Sequence, residues 1–169
     1  MAFKDVKPEE LALNPFQAVG RDWLLVGAGD EALNNAMTAS WGGMGVLWGK
    51  PAVTVYLRPQ RYTRKLLEAN DLFTVSILPE AYRAQLMYCG RVTGYDVPNK
   101  IVEAGLTPLF VDGTTAIEEA HTVLVCRKMY ADDMPPENFI DGSADARWYP
   151  DHDYHRMYIG EVLRALVKE

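Results

Sequence analysis

Short apolar runs rich in β-branched and aromatic residues, cut by glycine and proline, set the first limit on this fold. Ala52 to Leu57, Leu72 to Leu78 and His121 to Tyr130 carry that composition and read as strands. Trp23 to Gly27, Asn34 to Ser40, Ala116 to Ala120 and Tyr154 to Leu166 join them, the last with Gly160 as an expected bulge or point of close contact. Only short helical patterns lie between. Asn14-Pro15 caps one that runs through Val19, and Arg61 to Asn70 places Tyr62, Leu66 and Ala69 on one stripe. Glu80 to Tyr88 and Asn99 to Ala104 complete the set. Strands that do not alternate with long helices exclude a doubly wound parallel sheet. The expectation is a mainly β chain, six or seven strands in an antiparallel barrel with short helices outside. At 169 residues it reads as one domain, 1–169.

Charge narrows the ligand. The net charge of -6 argues against nucleic acid or an anionic membrane as the main partner, so any basic feature has to be local. Arg58-Pro-Gln-Arg-Tyr-Thr-Arg-Lys65 is such a feature, with four cations and no acid in eight residues. It follows a strand and opens a helix, where unpaired N–H groups, the helix dipole and arginine forks converge into a phosphate cradle. Arg58, Gln60, Arg61, Tyr62 and Thr63 are its candidate residues. The same segment also suits a solvated helix face pairing with Glu68 or Asp71.

Upstream, Met37, Thr38, Ala39, Ser40 and Trp41 precede the glycine-rich Gly42, Gly43 and Gly45. An exposed strand end there offers hydroxyls, backbone groups and flat or polarizable surface to a ring. The alternative is a hairpin with Trp41 in the core. One strand separates the two stretches, so both can end at one rim of a barrel. A ligand that is half planar ring and half phosphate suits the pair, and flavin mononucleotide (FMN) fits that description.

Other motifs carry less. Gly27-Ala-Gly-Asp-Glu-Ala32 spells a dinucleotide fingerprint, but Asp30 and Glu31 would face the phosphates and no ribose-binding acid follows, so it reads as a hairpin turn. Asp151-His-Asp-Tyr-His155 lacks a third patterned soft ligand, and no metal is expected; His155 instead enters the last strand facing the bound ring. Cys89, with Arg83 and Arg91 nearby, reads as a buried thiol or a redox thiol. Two cysteines make no disulfide scaffold, and Met1 to Pro8 has no apolar signal core. The expected location is the cytoplasm. Asp132 to Pro150 is acidic and aperiodic, a surface loop with one helical turn near Pro136 to Phe139.

The ordered set Asn35 to Gly42, Arg58 to Thr63, Asn70 to Ser76, Cys89-Gly90, Thr93 to Asp96, Lys100, Ala104 to Thr107 and His155 to Val162 resembles the flavin reductase-like, flavoredoxin-type family of FMN-binding split barrels. That resemblance implies a six-stranded antiparallel split barrel and a homodimer with FMN near the subunit interface. It implies that Met37, Thr38, Ser40 and Trp41 meet the ring and ribityl chain, and that Arg58, Arg61, Tyr62 and Thr63 hold the phosphate. Lys100 corresponds to a lysine that approaches the flavin, and His155 to a positioning or proton-donating histidine before the last strand. The implied activity is NAD(P)H-dependent reduction of a flavin or small acceptor. An FMN carrier reduced by a partner protein and a non-catalytic flavin or haem module are its rivals. The Asp132 to Pro150 insertion, bearing Phe139, Trp148 and Tyr149, is a candidate cover for the active face.

Overall fold

The structure, a computed structural model, describes residues 2–169. In chain order its elements are β1 (Phe3–Val6), α1 (Pro15–Gln17) passing into a π-turn (Ala18–Asp22), β2 (Leu24–Gly29), β3 (Asn34–Ala39), β4 (Gly42–Leu47) and β5 (Lys50–Leu57). α2 (Tyr62–Ala69), β6 (Leu72–Ile77), α3 (Arg83–Arg91), α4 (Lys100–Glu103), β7 (Pro108–Val111) and β8 (Thr114–Ile117) follow. β9 (Thr122–Asp133), α5 (Gly142–Trp148) and β10 (Arg156–Lys168) end the chain. Among the described residues no helix is long and apolar enough to cross a membrane.

The strands form an antiparallel sheet in the order β3-β2-β6-β9-β10-β5-β4, with β1 added on β10 and β7-β8 as a separate hairpin. β10 accounts for the split. Its first half pairs with β5, from Arg156 opposite Leu57 to Glu161 opposite Ala52. Its last residues pair with β1, from Ala165 opposite Val6 to Lys168 opposite Phe3. The β9–β10 ladder shifts register at Ile159/Gly160 and Val162/Arg164, and such bulges bend and twist a strand. Gly160 is at the first shift because a Cβ there would lie 2.6 Å from the Phe73 ring.

Period-two patterning builds two cores. Leu24, Val26 and Ala28 pack inward with Val53, Val55, Leu57, Phe73 and Val75. Leu25 faces outward with Ala36, Val123 and Val125, against Leu86, Cys89, Ile101 and Ile117 from the helices and the small hairpin. Gly27 belongs to the outer side, where a Cβ would meet the Thr115 carbonyl oxygen at 2.2 Å. The fingerprint-like stretch is a hairpin turn, as read: Asp30 Oδ1 accepts from the N–H groups of Ala32 (2.9 Å) and Leu33 (3.0 Å).

The sheet has more strands than expected. β1 and β4 are added, and the Ala116 strand belongs with β7 in the separate hairpin. β1 is short and half exposed, and β4 is glycine-rich, so neither shows an apolar alternation. The Asp132 to Pro150 region also departs from the expected loop. The turn at Pro136–Asn138 is present, but β9 runs through Asp133 and α5 occupies Gly142–Trp148. Gly-Ser-Ala-Asp-Ala-Arg-Trp has no apolar stripe; an Asp141 cap and the packing of Trp148 hold it instead.

Candidate functional site

The ends of β3 and β5 meet the start of α2, the last turn of α3 and the residue before β10. A cleft of about 360 Å³ opens there. Met37, Thr38, Ala39, Ser40 and Trp41 enter it from β3 and its end, and Arg58, Gln60 and Arg61 from the β5–α2 corner. Tyr56, Gly90 and His155 complete the lining. The two stretches singled out in the sequence thus share one concavity, and the contiguity follows from β5 carrying the chain back to the rim where β3 ends.

The corner end of the cleft is cationic. Arg61 donates through Nη1 to the Gly90 carbonyl (2.8 Å). Burial, then the nearby Arg58 guanidinium, draws its pKa down, yet arginine keeps its charge in proteins. Arg61 is also the N-cap residue of α2 and no side chain caps that helix start, so its first N–H groups are left for another acceptor. Arg58 is engaged differently: Nη1 donates to Asp153 Oδ1 and Nη2 to the Trp148 carbonyl (2.9 Å). Gln60 Nε2 donates to the other oxygen of the same carboxylate (2.7 Å). The solvated-face reading holds further along, where Arg64 pairs with Glu68 (2.9 Å) and Lys65 lies over the Tyr62 ring.

The opposite end is aromatic and polar. β3 is an edge of the sheet, so alternate backbone N–H and C=O groups face away from β2. The Thr38 hydroxyl donates to the Leu86 carbonyl, tying that edge to α3. Trp41 stands edge-on to Trp148 with centroids 5.2 Å apart and lies 5.2 Å from the His155 ring. Tyr149 Oη and His155 Nδ1 are 2.8 Å apart. Burial, then Arg58, pushes His155 down to about 4, so the ring is neutral at ordinary pH. Burial raises the Tyr149 phenol, which keeps its proton. The phenol therefore donates to Nδ1 and leaves the His155 proton on Nε2.

Three expected residues stand apart from the cleft. Thr63 is fully buried and accepts from Asn35 Nδ2 (2.9 Å), locking α2 onto β3. Tyr62 stacks edge-on against Tyr95 at 4.7 Å. Lys100 is buried and donates to the carbonyls of Cys89 (3.2 Å) and Val92 (3.0 Å), closing the C-terminal end of α3; burial draws it down to about 8. Cys89 is itself buried, and burial raises its pKa against the opposing effect of Lys100 and Arg61, so the thiol is protonated. His152 turns to the Tyr154 hydroxyl and His155 to Tyr149, so the two histidines do not converge.

Sequence reasoning missed Tyr56, Gly90 and Asp153 as site residues. Tyr56 reads as one residue of a strand, and Asp153 as part of the metal-like Asp151–His155 motif. Beyond Trp41 a second groove of about 590 Å³ shares Ser40, Trp41 and Tyr56 with the cleft, and no charged residue lines it.

The sequence and the fold are those of a known family. The family model described as "Flavin reductase like domain" matches residues 16–169, and the chain belongs to that family. Its fold is shared by flavoredoxin from Methanosarcina acetivorans, at 20% identity and TM-score 0.70, covering 99% of this chain and 77% of that one. Flavoredoxin of Desulfovibrio vulgaris (Miyazaki F) is similar at 23% identity and TM-score 0.68, covering 97% and 78%. So is an FMN-binding domain of a flavin reductases-like enzyme from Shewanella baltica OS155, at 16% identity and TM-score 0.70, covering 98% and 77%. No curated protein matches the chain.

Proposed function

We propose that the protein binds FMN in the cleft and passes electrons from NAD(P)H to a flavin or small acceptor. The observation that carries this reading is the union, in one 360 Å³ concavity, of a free strand edge beside Trp41 with two guanidinium groups. The donor set fits the cofactor. Arg61, Gln60, Arg58 and the uncapped start of α2 are donors suited to a phosphate. The β3 edge and Ser40 offer donors and acceptors to a ring system with polar edges, and Trp41 offers surface. When bound, FMN supplies the hydride and electron chemistry; the protein binds, orients and tunes it. His155, neutral with its proton on Nε2, is the group able to hold a proton beside the ring.

The protein acts as a single split-barrel domain in the cytoplasm, where its two buried thiols stay reduced. It works as a homodimer. An apolar strip supports that reading: Leu11, Leu13, Pro15 and Met44 line a groove that meets the second groove at Pro15 and Met44 and so reaches the cleft at Trp41. Phe16, Val46 and Trp48, beside it, are more than half exposed. A strip continuous with the cleft supports the reading that FMN lies near the subunit interface.

The absorption spectrum of the purified protein, before and after adding FMN, tests the cofactor. NAD(P)H oxidation with added flavin then tests the activity. Flavin bound and NAD(P)H consumed is the expected pair of results. A bound flavin that no nicotinamide reduces would instead make the protein a carrier served by a partner. A chain that binds neither FMN nor FAD overturns the whole reading.

A further inference from the structure

Two of the three side-chain donors at the arginine corner are already occupied by a carboxylate from the same chain. Asp153 accepts from Arg58 with one oxygen and from Gln60 with the other, while Arg58 spends its remaining Nη on the Trp148 carbonyl. Its guanidinium also lies over the Tyr149 ring at 5.0 Å. Arg61 is different. Its hydrogen bond goes to a neutral carbonyl, and among the described residues it forms no ion pair. The corner therefore presents one uncompensated guanidinium, not two. Any phosphate that reaches Arg58 and Gln60 must either displace the Asp153 carboxylate or bind beside a like charge, and both choices weaken binding.

Resting on the FMN reading above, we infer that Asp153 sets the specificity of this site between phosphorylated and unphosphorylated flavins. Its carboxylate stands in the place of an anion on Arg58 and Gln60, leaving Arg61 as the main phosphate ligand. The site accepts FMN with only a modest preference over riboflavin, and the phosphorylated flavin can exchange. The segment that supplies Asp153 also supplies Trp148 and Tyr149, which pack on Trp41 and His155. The Asp132 to Pro150 insertion thus leads directly into the residue that brakes phosphate binding.

The test compares FMN and riboflavin binding to the flavin-free full chain by calorimetry, for the wild type and for Asp153→Asn. Asparagine keeps an acceptor for Arg58 or Gln60 but removes the charge. Expected is a wild-type preference for FMN of about tenfold or less, rising about tenfold in the variant through tighter FMN binding, with riboflavin affinity unchanged. The riboflavin arm guards against misfolding, because a displaced insertion would alter both ligands together. A wild-type preference above about a hundredfold overturns the inference without needing the variant. An unchanged or lowered preference in Asp153→Asn also overturns it, and leaves the FMN reading standing. A wild type that binds neither flavin overturns both.

Discussion

The His155 ring is held neutral by burial, and the sign of that shift gives stability a pH dependence. Its pKa is near 4 in the folded chain and 6.5 when exposed, so the folded state binds fewer protons than the unfolded state between those values. The contribution is fully present above about pH 6.5 and is lost as pH falls toward 4. From about pH 7.5 to about pH 5 the loss is on the order of 2 kcal/mol. Urea unfolding at both pH values should show that loss in the wild type and should lack it in His155→Gln; equal pH dependence in the two proteins would contradict the assignment. Arg61 carries the second prediction at this scale. Arg61→Ala should weaken FMN binding about tenfold, from the lost charge-assisted hydrogen bonds, and leave riboflavin binding alone. Unchanged FMN affinity would remove Arg61 from the phosphate site. Both residues were legible in the sequence, one from its place before the last strand and one from an acid-free basic run. Asp153 was visible there too, but nothing local tied it to Arg58, 95 residues away.

Among the elements, β10 shows why a glycine occupies position 160, at a register shift against β9. Alanine has the better strand propensity, so propensity alone would favour Gly160→Ala. The structure reverses the sign, because the new methyl group would lie 2.6 Å from the Phe73 ring and 3.0 Å from Cys126 Cβ. A destabilisation of about 1–3 kcal/mol is expected, as for other overpacked cores. A lower urea midpoint at unchanged m would show it; a variant as stable as the wild type would mean that Phe73 has room to move. Strands dense in β-branched and apolar residues, such as β5, β6 and the first half of β9, were readable because that composition is what a buried strand needs. The elements that were missed lack that signal. β4 is glycine-rich, and α5 is held by its cap and by Trp148 against Trp41, contacts with partners far along the chain.

For the whole molecule, the apolar strip that ends at Trp41 makes association the expected state. Light scattering should give a mass near twice 19.0 kDa. Val46, three-quarters exposed on the β4 edge strand, is the place to test it. Val46→Glu adds a charge to the proposed interface and should shift the protein toward monomer, with FMN binding weakened as the interface opens. A wild type that is monomeric at micromolar concentration would sink the interface.

What the sequence determined by itself was whatever local chemistry and short periods encode. The mainly β class came from short β-branched and aromatic runs and the turn residues between them, the candidate anion site from an acid-free basic run against a net negative chain. The tertiary structure decided what depends on distance in space. It placed the ends of β3 and β5 at one rim, sent Lys100 and Thr63 to structural hydrogen bonds away from the cleft, and brought Asp153 onto Arg58 and Gln60. The reason is physical. Periodicity and charge are properties of neighbours in the chain, whereas a site is made by side chains that only the folded sheet and its helices bring within hydrogen-bond reach.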